Sequence, residues 1–150
     1  MCHEGLIRKL NSYRVNAQVT QWISAYLKNR RQFVAIDGVV SSVCSVPSGV
    51  PQGSVLGPVL FLCYVNDLAD AVSPNITVRL FADDCLLYTK VRSPVDQENL
   101  NLSLASVDNW CQKWGMKLNP EKTVFLRITN KKNILTYNYK LGDVSLKVII

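Results

Sequence analysis

Residues 76–89 read Ile76-Thr-Val-Arg-Leu-Phe-Ala-Asp-Asp-Cys-Leu-Leu-Tyr-Thr89. Two strand-like runs, 76–82 and 85–89, are separated only by Asp83 and Asp84. β-Branched and aromatic residues on both sides of a two-residue polar break predict a hairpin with the acids at its tip. Val78, Leu80 and Phe81 on one arm and Cys85, Leu86 and Leu87 on the other lead us to expect burial on both faces, which would draw the carboxylates toward the protein body. Two carboxylates held together in a partly dry site repel each other unless a cation neutralises them. Mg²⁺ suits such a pair, because it is hard, takes oxygen ligands and commonly shares one or two protein carboxylates with substrate phosphates. A solvated hairpin tip is the other reading these residues admit, since Asp is a favoured turn residue.

Upstream of the hairpin, Ser48-Gly-Val-Pro-Gln-Gly-Ser54 is a loop by its glycine and proline content. Its two glycines allow close backbone approach, and Gln52 offers a donor and an acceptor. Ser54 is placed to cap a helix running to about residue 71, with Pro58 tolerable only in its first turn. A helix N-terminus after this loop would present N–H groups to an anion, although a plain strand-to-helix connector has the same composition. Further upstream, Asn16 is an N-cap signal, and Val19, Trp22, Ile23, Tyr26 and Leu27 recur at three- and four-residue spacing, which predicts a helix with one apolar face. A basic cluster, Lys28-Asn29-Arg30-Arg31, ends it. Phe33 to Val46 then carries a hairpin signature turning at Asp37-Gly38.

Downstream, Ser93-Pro94 opens a helix whose stripe is Leu100, Leu104, Val107, Cys111 and Trp114, and Gly115 stops it. A strand is expected over 124–128, and a weaker pair over 134–141 and 144–150 turns at Gly142-Asp143. Strand hairpins interleaved with long amphipathic helices predict an α+β fold, a sheet covered on one face by helices.

At 150 residues with 48% hydrophobic and 19% charged content, the chain has ordinary globular composition and one-domain length. Its longest apolar run, 55–65, is well short of the roughly 20 residues of a membrane span. We therefore expect no membrane association. Five scattered cysteines (Cys2, Cys44, Cys63, Cys85, Cys111) without a C-x-x-C pair predict reduced thiols, no disulfide-linked partner and an intracellular location, cytoplasm or nucleus. The formal net charge of +6 is unevenly spread: 1–108 is balanced, whereas 109–150 holds eight Lys/Arg against Glu121 and Asp143. A basic end suits a polyanion such as nucleic acid, and equally a solvated face.

Three segments together carry a specific resemblance. The run Ser48-Gly-Val-Pro-Gln-Gly-Ser-Val-Leu-Gly-Pro-Val-Leu-Phe61 followed by Asn66-Asp67-Leu68 resembles the substrate-binding motif of reverse transcriptases from non-LTR (LINE-like) retrotransposons. Phe81-Ala-Asp-Asp84 resembles the metal-binding hairpin of that family, and Trp114-Gly-Met-Lys-Leu-Asn-Pro-Glu-Lys-Thr123 its lysine-bearing motif. The helix at 19–27 with Arg30-Arg31-Gln32 is similar to the segment these enzymes carry before the substrate loop. The order and spacing match over nearly the whole chain. The resemblance implies a polymerase palm-like antiparallel sheet packed against helices, and RNA-templated DNA synthesis by a two-metal, Mg²⁺-dependent nucleotidyl transfer. The partners it implies are an RNA template, a DNA primer and deoxynucleoside triphosphates.

Residue by residue, it makes Asp83 the firm metal ligand and Asp84 a neighbour with a less direct role. Gln52 and Gly53, with Pro51 and the Ser48-Gly49 start of the loop, would contact the incoming nucleotide and the template-primer. Lys122 aligns with a lysine proposed to protonate the leaving pyrophosphate, or is simply a surface lysine. The same resemblance places the family's third carboxylate upstream of Met1, a position Glu4 is not assumed to fill. It also places fingers before this segment and a thumb after it, so 1–150 is expected to be an incomplete palm with doubtful activity alone. Two other readings are a non-catalytic nucleic-acid-binding module and an inert transposon relic.

Overall fold

The computed structural model describes residues 1–149 and divides into two compact units, the first spanning Met1–Asn66 and the second beginning at Asp67.

In the first unit, helix α1 (His3–Ser12) packs against α2 (Ala17–Leu27) and α3 (Leu56–Val65). Leu6 and Leu10 of α1, Ile23 and Leu27 of α2, and Leu60, Tyr64 and Val65 of α3 are buried. Lys9, only 2% exposed, is accommodated with its Nζ 5.1 Å from the Tyr64 ring centroid, a cation–π contact that offsets part of its desolvation. Helix α2 begins as its sequence predicts: Asn16 Oδ1 accepts from Gln18 N at 2.8 Å, satisfying an otherwise orphan amide. Its apolar stripe is wider than its contact, however. Thr20, Ile23 and Leu27 lie along the buried line, while Val19 and Trp22 face outward.

Four two-residue strands follow α2. β1 (Arg31–Gln32) pairs with β4 (Cys44–Ser45), and β2 (Ala35–Ile36) with β3 (Val39–Val40), all antiparallel and exposed. The β2–β3 turn is the expected Asp37-Gly38, both with positive φ (+50° and +81°), the signature of a tight hairpin turn. Pro58 does fall in the first turn of α3, but that helix ends at Val65 and the stretch expected to continue it to residue 71 is a separate 3₁₀ segment, Asn66–Ala71.

In the second unit, β5 (Thr77–Phe81) and β6 (Asp84–Tyr88) form the predicted hairpin, followed by α4 (Pro94–Lys113), β7 (Val124–Leu126), β8 (Lys140–Leu141), β9 (Val144–Ser145) and β10 (Lys147–Ile149). Helix α4 is delimited by local chemistry. Ser93 and Asp96 form a reciprocal capping box with Pro94 in the first turn. At the other end Gly115, at φ +65°, closes a Schellman motif in which Met116 N donates to Cys111 O at 2.8 Å. Its buried line is Gln97, Leu100, Ser103, Val107, Trp110 and Cys111. Leu100, Val107 and Cys111 were expected there, and Trp110 takes the buried place foreseen for Trp114.

Several expectations are corrected. The strands do not merge into one sheet: among the described residues there are five two-stranded pairs, four antiparallel and one, β7 with β10, parallel. The strand at 124–128 is shorter, and of 134–141 only Lys140–Leu141 pairs, with β9 across the Gly142-Asp143 turn. The last position of the strand foreseen over 144–150, Ile150, lies outside the described residues. The β5–β6 hairpin is not buried on both faces. Strand alternation sends Val78, Leu80, Cys85 and Leu87 to the α4 side and Phe81, Asp84, Leu86 and Tyr88 to the other. Among the described residues of this unit no element packs on that second face, and Phe81 stays 81% exposed. β6 does not pair with β7 either; an apolar cavity of about 1000 Å³ lies beside them, lined by Leu87, Leu100, Leu104, Phe125, Leu135 and Tyr139.

Candidate functional site

The 48–54 loop enters α3 through a closed set of hydrogen bonds. Gly49 N donates to Met1 O at 2.9 Å, Cys2 and Ser48 form an antiparallel bridge, and His3 Nε2 donates to Gly49 O at 2.7 Å. Cys2 N in turn donates to Tyr64 Oη at 3.3 Å, tying the same N-terminal turn to α3. At the far end of the loop, Ser54 Oγ donates to Pro51 O at 2.7 Å and accepts from Gly57 N at 3.0 Å. Ser54 thus satisfies the Gly57 amide in the first turn, although the N-cap position of α3 is taken by Val55 and not, as expected, by Ser54. Two of the first three helical residues then offer no amide to an anion, because Gly57 is engaged by Ser54 and Pro58 has no N–H. This narrows the expected anion-binding role of the helix start.

Between these anchors Gln52 and Gly53 project into solvent. Gly49 and Gly53 have φ of +85° and +77°, and a Cβ at either would meet nothing within 4 Å. The left-handed backbone, and not lack of space, is what calls for glycine at both. Gly57 is the opposite case: its φ is ordinary, but an added Cβ would lie 3.1 Å from Ser54 Oγ and 3.2 Å from Pro51 O.

The hairpin tip is built differently. Five paired positions run from Thr77↔Tyr88 to Phe81↔Asp84, so the two-residue turn is Ala82-Asp83 and not the expected Asp83-Asp84. Asp83 occupies the bend, and Asp84 is the first residue of β6, directly across from Phe81. Both acids are exposed, so the expectation that the flanking strands draw them into a partly dry site is corrected: the tip is solvated. Ala82 takes φ +50°, a conformation that tight turns usually assign to Gly or Asn and that costs an L-residue about 1–2 kcal/mol. Next to the pair, desolvation raises the Cys85 thiol to about 11, with the Cys111 sulfur adding to the effect, even though Cys85 keeps accessible surface. Lys122 is exposed in a separate turn organised by Asn119, whose Oδ1 accepts from Glu121 N at 3.0 Å and whose carbonyl accepts from Thr123 Oγ1 at 2.8 Å.

Ser48, Gly49, Pro51, Gln52 and Gly53 thus share one loop of the first unit. Asp83, Asp84 and Lys122 belong to the second, the acids together and the lysine on its own turn. His3, Tyr64 and Gly57 were not foreseen, because their part in shaping the loop depends on contacts a local pattern does not reveal. Among the described residues, no group of three or more His, Cys, Asp or Glu could hold a metal, so the second unit offers two adjacent carboxylates and no closed cage. That donor set fits a hard divalent ion that keeps water and phosphate oxygens in its remaining positions. Among the described residues, no helix is long and apolar enough to cross a membrane.

Comparison with known proteins adds the following. Residues 1–139 match the family described as reverse transcriptase (RNA-dependent DNA polymerase). The chain is 28% identical over 136 residues to the RNA-directed DNA polymerase from mobile element jockey of Drosophila melanogaster, covering 86% of this chain and 15% of that protein. It is 31% identical over 135 residues to the jockey polymerase of Drosophila funebris, covering 85% and 15%. It is also 32% identical over 129 residues to the probable RNA-directed DNA polymerase from transposon BS of Drosophila melanogaster, covering 81% and 14%. The chain spans about 15% of the length of these relatives.

Proposed function

The chain belongs to the reverse transcriptase (RNA-dependent DNA polymerase) family, among the polymerases of non-LTR retrotransposons, and on that premise we propose that it is the palm segment of such an enzyme, acting in RNA-templated DNA synthesis inside the cell. The observation that carries this reading is the hairpin tip, where Asp83 sits in the tight turn and Asp84 opens β6, two consecutive acids that are solvated, not partly dry as expected, and so accessible to a hydrated ion. Asp83 is the residue we assign to hold Mg²⁺, with Asp84 in a supporting place. Held there, such an ion would supply neutralisation of the phosphate charge.

The chain's own residues position the reactants. Gly49 and Gly53 let the backbone pass close to the nucleotide and the template-primer, and Gln52 adds a hydrogen-bonding amide between Pro51 and Gly53. The Ser48–Met1 region fixes where that loop starts. As the primer 3′-oxygen bonds to the α-phosphorus and the bond to the β-phosphate oxygen breaks, the Lys122 ammonium is the group assigned to donate a proton to departing pyrophosphate. The work is mainly placement and charge neutralisation, which carboxylates, glycines and one lysine can supply without a protein nucleophile.

Mn²⁺ serves as the probe. In the presence of a deoxynucleoside triphosphate, Asp83→Asn is expected to weaken Mn²⁺ binding about tenfold or more, measured by electron paramagnetic resonance, and Asp84→Asn less. Unchanged Mn²⁺ affinity in the double Asn variant overturns the assignment. A second reading, a nucleic-acid-binding module without catalysis, is favoured by one observation: Lys113, Lys117, Lys122, Lys131, Lys132, Lys140 and Lys147 of the basic 109–150 segment are all exposed. It predicts salt-sensitive oligonucleotide binding that persists in the double Asn variant.

A further inference from the structure

Outside the candidate site, the outward face of α2 carries an unusual arrangement of side chains. Trp22 and Tyr26, one helical turn apart, stack with ring centroids 5.7 Å apart and planes only 11° from parallel. Arg30 extends the stack beyond the helix end: its guanidinium carbon lies 4.4 Å from the Tyr26 centroid, and its Nε donates to Tyr26 O at 2.8 Å. Trp22, at the open end of this Trp–Tyr–Arg ladder, is 56% exposed. Lys28, the C-cap of α2, and Arg31, just beyond it in sequence, are both exposed. From Gly5 to Ile36 there are six Lys/Arg, of which Lys9 is buried, and no Asp/Glu, so the segment that carries the ladder is basic although the first 108 residues are neutral in sum.

We infer that this ladder is a stacking platform for unpaired nucleic acid, with a base laid on Trp22 and the phosphates of the same strand met by Lys28 and Arg31. Three features select this occupant. A large aromatic side chain left in water is held in one orientation by a parallel ring beneath it, so little rotamer freedom remains to be lost when a base stacks on it. The Arg30 guanidinium lies against the Tyr26 ring and polarises it. The charge along this segment is of one sign and matches a phosphate backbone. The platform lies wholly within the first unit and uses none of the residues assigned to nucleotide transfer. It rests on the polymerase reading only in that a template or primer strand supplies the polyanion.

The test is binding of the 150-residue chain to fluorescein-labelled 16-mers of oligouridylate, oligothymidylate and a matched duplex, read by anisotropy across a salt series. Trp22→Ala is expected to weaken binding of both single strands about five- to a hundredfold, with a smaller effect on the duplex. Trp22→Phe retains most of the affinity, and Arg31→Gln lowers the salt slope by about one. Because Trp22 is outside the core, its substitution leaves the helical circular dichroism in place, and ultraviolet cross-linking of the unsubstituted chain to a 4-thiouridine strand maps to the peptide bearing Trp22. Wild-type affinity in Trp22→Ala, an equal loss for duplex and single strand, or a cross-link confined to 109–150 overturns the platform. So does a Trp22→Ala chain that binds normally but is freed from self-association, which would assign the face to a protein partner. If single-strand binding depends on Trp22 while Mn²⁺ affinity ignores Asp83 and Asp84, the platform stands and the polymerase assignment falls. The converse result separates them in the other direction.

Discussion

The loop at 48–54 and the turn at 82–83 are both short, polar and open to solvent, yet they are held in place by different means. The loop is fastened by residues more than forty positions away: Met1, Cys2 and His3 at its start. The hairpin tip is set by its own five-pair register. A segment anchored remotely inherits the stability of whatever anchors it, whereas a hairpin tip answers first to the conformational preferences of its own few residues. The two regions should therefore respond differently to the same kinds of change.

The largest effect should come from the remote anchor. Leu6 is completely buried on α1, which carries the Met1–His3 turn at its head. Leu6→Ala is expected to cost about 2–5 kcal/mol, the usual range for a large-to-small change in a packed core. Urea denaturation gives the loss, and amide exchange at Gly49, whose N–H is bonded to Met1 O, should accelerate with it. Gly49 protection that is unaffected by a confirmed destabilisation of α1 would break the comparison.

A smaller pair of substitutions, opposite in sign, sharpens it. Gly53 has φ +77° with open space around it, so Gly53→Ala should cost about 1–2 kcal/mol through backbone strain alone. Ala82 already carries that strain at φ +50°. Ala82→Gly should relieve it, with a net gain under about 1 kcal/mol because glycine also gives the unfolded chain more freedom. Thermal melts of the two variants should therefore move in opposite directions. A fall in Tm for Ala82→Gly would mean that the Ala82 methyl contributes more than its strained backbone costs.

How far the molecule was legible in its residues follows the same division. Features decided by a few neighbouring positions could be read directly: the Asn16 cap, the Ser93-Pro94 start and Gly115 stop of α4, and the Asp37-Gly38 turn. Each rests on one side chain or one φ angle. What could not be read was decided at a distance. The β5–β6 turn lies one residue earlier than the polar break suggests, because pairing Phe81 with Asp84 sets which side chains face α4. Apolar content alone predicted burial for Phe81 and Leu86, but burial needs a covering layer, and the composition of a strand does not say whether one exists. The parallel pairing of β10 with β7 and the fastening of the 48–54 loop by His3 likewise join segments with no local mark of their relationship. Within the candidate site, the acids and the glycine loop were identifiable by type and spacing, while the residues that hold the loop were not.

The least energetic prediction probes the hairpin from its inner face, where Cys85 follows Asp84 and points toward α4. Desolvation, with a smaller contribution from Cys111, raises its thiol from 9.0 to about 11. Burial disfavours the thiolate, so the folded chain holds the proton to higher pH than the unfolded chain does. The sign follows: this group's contribution to stability is fully present below pH 9 and is lost as pH rises from 9 toward 11. At the lower end of that window the thiolate, the form that alkylates, is scarce. Iodoacetamide should then modify Cys85 more slowly than Cys44 at pH 8–9, although both residues are exposed, with the Cys85 rate still climbing at pH 11, as peptide mass spectrometry can follow. A Cys85 rate that levels off near pH 9 would mean the α4 side of the hairpin is as wet as its outer face. The distinction between a supported inner face and an open outer face bearing Asp84 would then be lost.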